Sequence, residues 1–175
     1  MMSEPRPKAP FSMGGAAMGA VLSWWNKLQT PEQRGARAAL ARCARPGEVV
    51  LEAGFHDLRR QIEDITPYST DRLALVMGLV ARVRYGHAEN TLAVQMAQPK
   101  HGGERPVCSE LRFRRLLKVP DQDVDALYTQ LRRVVTLLDR SVHLPSLISG
   151  AYYWNENTRR RWAFDYYRHA RLANS

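Results

Sequence analysis

This sequence predicts an all-α protein built as two small helical bundles, and three observations carry that expectation. Apolar residues recur at i, i+3, i+4 and i+7 along most of the chain, the spacing that places them on one side of a helix. Hydroxyl and acidic residues stand where those runs begin, as N-caps do. No Asn-Gly or Asp-Gly turn separates alternating runs, so hairpin signals are missing.

The elements follow in order. Residues 1–17 read as a flexible tail. Arg6 and Lys8 precede FSMGGAAMGAVLSWW, whose glycines and Ser12 dilute an apolar run shorter than the roughly 20 residues of a spanning helix. The run passes into WWNKL with no small-residue cleavage site, so neither a signal peptide nor a membrane anchor is expected and the location is read as cytoplasmic. Val21, Trp24, Trp25 and Leu28 then form a one-faced stripe. Thr30 and Pro31 suit the N-cap and first position of a second helix, PEQRGARAALARCAR, stopping near Pro46-Gly47. Its Ala38, Leu40 and Ala41 face inward, with Arg34, Arg37 and Arg45 toward solvent. A third segment runs from Val49 through Phe55, Leu58 and Ile62 to the break at Thr66-Pro67. Ser69 or Thr70 caps DRLALVMGLVARVRY, which is too apolar for a surface helix and reads as the buried centre of the first bundle. Thr91 to Met96 continues in the same style.

QPKHGGERP, Gln98 to Pro106, combines two prolines, two glycines and mixed charge. It divides the chain into a first domain over 18–99, a linker over 100–106 and a second domain over 107–175. Residues 1–99 carry 12 basic and 9 acidic residues, and the rest carry 14 and 8, so the shorter part is the more basic. Helical segments are expected at 109–118, 121–140 and 155–171, with a shorter one near Leu144 to Tyr153. Leu127, Leu131, Val134 and Leu138 form a bundle seam, and Asp121, Asp123 and Asp125 suit the positive end of their helix.

The formal net charge is +9, the pI is near 10.1, and only four of the 26 basic residues are lysines. Arginine binds phosphate bidentately and stays charged, so a domain this rich in it points to nucleic acid. The stretch SELRFRRLL concentrates the signal. On a helical wheel Phe113, Leu116 and Leu117 share one side and Arg114, Arg115 and Lys118 the other, with Arg112 at the boundary and Leu111 misplaced. Glu110 can reach Arg114, which leaves at least two charges unpaired. Arg132 and Arg133 lie outside the Leu127–Leu138 seam. In NENTRRRWAFDYY, Trp162, Ala163, Tyr166 and Tyr167 face inward while Arg160, Arg161 and Arg168 point away, and Arg161 is within reach of Asp165. Aligned, these clusters make a stripe that tracks a phosphate backbone.

No constellation for catalysis stands out. The five histidines are scattered, no HExxH, P-loop or GxSxG motif is present, and the one close run of carboxylates, Asp121, Asp123 and Asp125, is read as the charged start of a helix rather than as the ligands of a two-metal nuclease. No cofactor or metal is called for. Cys43 and Cys108 lack metal-ligand spacing and read as buried free thiols. The competing readings are a small basic nuclease and a structural helical adaptor with Trp24 and Trp25 as contact anchors.

Taken in order, WWNKLQTPEQRGARAALARCARP, LALVMGLVARVR, SELRFRRLL, LYTQLRRVVTLL and YYWNENTRRRWAFDYY resemble the CasB family, the small subunits of the type I-E CRISPR Cascade complex. The resemblance covers about Ala20 to Tyr167. It implies an all-α, non-enzymatic protein present in two copies within a ribonucleoprotein, beside other Cascade subunits, CRISPR RNA and target DNA. Its implied role is to stabilise guide–target pairing and the displaced DNA strand through a basic face. The family's basic positions carry over to Arg42, Arg114, Arg115, Arg132, Arg133 and Arg160, with Arg159 and Arg161 in a run where the family varies. Arg37, Arg112 and Lys118 are added from the helical wheel.

Overall fold

The computed structural model describes residues 7–172; residues 1–6 of the expected tail and residues 173–175 of the expected second bundle lie outside the described residues. Among the described residues the α-helices are α1 (Ala16–Leu28), α2 (Arg34–Ala41), α3 (Pro46–Val49), α4 (Ala53–Glu63), α5 (Thr70–Val80), α6 (Leu92–Ala97), α7 (Glu110–Leu117), α8 (Val124–Leu137), α9 (Leu144–Tyr152) and α10 (Glu156–His169). A 3₁₀ turn at Pro31–Gln33 leads into α2. Extended pairing among these residues is limited to isolated bridges, Tyr85 with Ser141, His87 with His143 and Pro99 with Pro106. The all-α expectation therefore holds.

Helix α5 is the centre of the packing. Ser69 caps it by accepting from the Arg72 N–H at 3.3 Å, and every residue from Leu73 to Val80 is buried. It packs against α3, α8 and α9, while α6 packs against α10 and α1 against α4 and α9. Each fully buried Leu, Val or Phe in such a core contributes roughly 1.5–3 kcal/mol. The helix ends sooner than the apolar run suggests. Arg84 and Tyr85 leave it because both their N–H groups donate to the Arg140 carbonyl, at 2.9 and 3.2 Å, and the Val142 N–H donates to Tyr85 at 2.9 Å.

Other boundaries also moved. Helix α2 stops at Ala41, and Pro46, expected to end it, instead opens α3 at the first helical turn, where its missing N–H costs nothing. The segment from Val49 is divided, with Leu51 and Glu52 forming the turn between α3 and α4. The first residues are packed from Phe11 on, rather than flexible to residue 17. Phe11 is buried and stacked on Tyr152 at 3.7 Å between ring centroids, and its N–H donates to the Tyr153 hydroxyl at 3.1 Å.

Residues 98–107, which take in the linker expected over 100–106, form a loop closed on itself: the Val107 N–H donates to Gln98 at 2.8 Å and the Cys108 N–H to Met96 at 3.1 Å. The buried side chains on its two sides join in one cluster running from Phe11 to Tyr166. Trp24 and Trp25 belong to it, and Trp25 Nε1 donates to the Val83 carbonyl at 3.1 Å, so both are core residues rather than contact anchors. Cys43 and Cys108 are buried free thiols. Burial pushes the Cys108 thiol up to about 11 and raises that of Cys43 as well.

Candidate nucleic-acid interface

Helix α7 is fixed from inside. Ser109 accepts from the Arg112 N–H at 3.3 Å, an N-cap worth about 1 kcal/mol. Phe113 is fully buried and stacks on Tyr166 with ring centroids 3.9 Å apart, and the Tyr166 hydroxyl donates to Cys108 at 2.7 Å. Burial, chiefly, raises the Tyr166 phenol pKa, so that phenol remains a donor. With Phe113 and Leu116 inward, Arg112 and Arg115, three residues apart, face α8.

Helix α8 is capped by Asp123, which accepts from the Ala126 N–H at 3.0 Å, and buries Leu127, Leu131 and Val134. Its far end is a Schellman turn without glycine. The Asp139 N–H donates to Thr136 at 3.0 Å and the Arg140 N–H to Val135 at 2.9 Å. Asp139 and Arg140 hold φ of 54° and 61°. That left-handed backbone costs on the order of 1 kcal/mol per non-glycine residue. It aims the Arg140 carbonyl at Arg84 and brings both arginines to one place.

Between these helices run two adjoining troughs. The first, about 700 Å³, is lined by Arg42, Arg82, Arg112, Arg115, Arg132 and Arg133. The second, about 540 Å³, shares Arg42 and Arg82 and adds Arg34, Arg37, Arg84 and Arg140. Together they make a basic groove with no carboxylate in its lining. Among the described residues none of these arginines forms an ion pair. Repulsion within such a groove is relieved when an anion enters it.

Some of its cations are held by the fold. Arg82, half-buried where the troughs meet, donates through Nη2 to the Cys43 carbonyl at 2.9 Å, and its Nε is buried without a partner. Arg82 and Arg132 lie 5.8 and 5.9 Å from the centre of the Tyr128 ring. Arg37 donates to the Leu28 carbonyl and to Gln29 Oε1, both at 3.4 Å.

The groove thus gathers Arg37, Arg42, Arg112, Arg115, Arg132 and Arg133 of the expected residues. It does not gather Arg114, Lys118, Arg159, Arg160 or Arg161. Arg114 and Lys118 are exposed away from the groove lining, and Arg114 lies near the exposed Tyr167, whose hydroxyl donates to Glu110 at 3.1 Å. Tyr167, expected to face inward, is thus on the surface, and Glu110 partners it rather than Arg114. Arg159 pairs with Asp121 and lies over the Trp154 ring, and Arg160 is 3.9 Å from Glu156. Arg161 is exposed, and its expected partner Asp165 makes no ion pair with it. Arg34, Arg82, Arg84 and Arg140 are groove residues that the sequence reading did not select. Arg82 follows an apolar helix and carries no local sign of exposure.

Among the described residues no group of three or more His, Cys, Asp or Glu is placed to hold a metal ion, and no helix is long and apolar enough to cross a membrane. No curated protein matches the chain in sequence. A solved structure is similar in fold: a chain of the crystal structure of E. coli Cascade bound to a PAM-containing dsDNA target, at 18% identity and a TM-score of 0.61, over 87% of this chain and 94% of that one. Residues 36–167 match the family model of the CRISPR-associated protein Cse2. That match spans most of the chain and takes in both sides of the groove, and on it the chain belongs to the Cse2 family, the CasB family that its helical motifs resemble.

Proposed function

We propose that this chain is a non-enzymatic small subunit of a Cascade-type complex, and that its arginine groove holds the displaced DNA strand while guide RNA pairs with target. The observation that carries the reading is a groove lined by ten arginines, with no carboxylate in the lining, on a member of the Cse2 family. The similarity in fold to a chain of E. coli Cascade bound to dsDNA supports the same assignment. Guanidiniums reading phosphates give affinity without sequence preference and a steep dependence on salt. Other Cascade proteins, CRISPR RNA and a second copy of the chain are the partners this role requires.

The test compares two sets of substitutions in the assembled complex. Replacing Arg112, Arg115, Arg132 and Arg133 by alanine should weaken protection of the displaced strand roughly a hundredfold, at up to about 1 kcal/mol per contact. Replacing Arg114, Arg160 and Arg161, which lie outside the groove, should change it by about threefold or less. The melting temperature of both variants should stay near that of the parent, since these side chains stand outside the core. A groove variant that folds, assembles and still protects the strand as well as the parent overturns the reading, as does metal-dependent cleavage of the strand.

A further inference from the structure

The first trough differs from the second in what lies beneath its arginines. Its floor is apolar, made by Ala41, Leu116, Val134 and Leu137, and one wall carries the amide of Gln130. Ala41, Leu137 and Gln130 are half-buried, so this surface is recessed yet open to a ligand. The side-chain amide of Gln130 makes no hydrogen bond among the described residues, which leaves both a donor and an acceptor beside the arginines of that wall. Phosphate gains nothing from an apolar floor, because burying a hydrated anion there costs desolvation without return. A nucleobase suits all three features. Its flat face covers apolar surface and stacks on guanidinium planes, and its edge pairs with an amide. Arg132 is already posed for this, with its guanidinium beside the Tyr128 ring. The 700 Å³ of the trough falls within the roughly 300–1,000 Å³ of cavities that enclose small ligands.

We propose that the trough between α2, α7 and α8 is a nucleobase site. It receives unpaired bases of a single strand against Ala41, Leu137 and Arg132, with Gln130 at the base edge and the rim arginines on the phosphates. A duplex keeps its bases stacked and paired, so it reaches only the rim. This inference rests on the reading of the groove as a nucleic-acid interface and makes that interface selective for single strands.

The experiment uses the full chain and three labelled probes at one salt concentration: a thymidine strand of about 20 nucleotides, the same strand with abasic central positions, and a duplex of equal length. The base-bearing strand should bind about tenfold tighter than the abasic one. Their salt slopes should match, because their phosphates are the same. Gln130→Leu and Ala41→Leu, neither of which alters charge, should reduce that difference to about twofold while leaving abasic binding unchanged. Equal binding of the two strands by the parent chain overturns the base site and leaves the phosphate groove standing. Binding of neither strand overturns the groove reading and the base site with it. Variants that fold but keep the full difference place the bases elsewhere and overturn the assignment to this trough.

Discussion

Arg82 and Tyr128 donate to the same acceptor, the Cys43 carbonyl, at 2.9 and 2.7 Å, and Arg82 Nη2 also lies 3.4 Å from the Tyr128 hydroxyl. Through this triangle the residues after α2, the residues after α5 and the middle of α8 meet at one atom, and Arg82 carries that junction to the groove lining. The carbonyl keeps one donor if either side chain is lost, and none if both are.

Tyr128→Phe should therefore cost about 1 kcal/mol, and Arg82→Met a comparable amount. The double variant should lose more than the two together, by about 1 kcal/mol or more, because a buried carbonyl is then left unpaired. Urea unfolding of the four proteins measures the coupling. Strict additivity would show that the shared acceptor does not link the two side chains.

Gly78 lies under the Tyr128 ring, where a Cβ would stand 2.8 Å from Cε2 and 3.0 Å from Val49 Cγ2. Alanine is the better helix former by about 1 kcal/mol, yet overpacking costs about 1–3 kcal/mol and Tyr128 is held in place by its hydroxyl. Gly78→Ala should lower the melting temperature. In a Tyr128→Leu background, where the ring is gone, the same substitution should be neutral or stabilising. A rise in the parent background would mean that the helix gives way easily at this point.

His143 caps α9 by accepting at Nδ1 from the Ser146 N–H at 3.2 Å, which requires that nitrogen to be unprotonated. Burial holds the imidazole below its ordinary value of 6.5. The unfolded chain then binds the proton more readily than the folded one. The capping contribution is present above about pH 6.5 and is lost as the pH falls toward the lowered folded value. Unfolding free energy should decline across that interval by about 1 kcal/mol or less, and His143→Asn, which caps without titrating, should flatten this part of the curve. An equally steep decline in the variant would assign the effect to other groups.

The sequence made local order visible and hid the assembly of the groove. Ser69, Ser109, Asp123 and Asn155 act as caps within three residues of their donors, so the starts of α5, α7, α8 and α10 are set by short-range chemistry. Arg112 and Arg115 were separated by the helical wheel, and only the position of α8 puts both in the groove. The turn at Asp139 and Arg140 carries no glycine, so nothing local announced that Arg84 and Arg140 would meet. The Arg159 cluster looked like its counterparts on α7 and α8. Its leading member is taken up by Asp121, 38 residues earlier in the chain, a pairing that no local pattern contains.

Phe11 also bears on the order in which the molecule is made. Its ring rests on Tyr152 and its backbone on Tyr153, 142 residues away in the chain. During synthesis from the N-terminus that aromatic waits, exposed to solvent or to a chaperone, until α9 has emerged. Helix α6 likewise packs against α10, which is made much later. Contacts so distant along the chain carry a large loop-closure cost before they return any stabilisation. The protein should thus complete its core only once α9 and α10 have been made, with an up-and-down bundle of equal size folding faster.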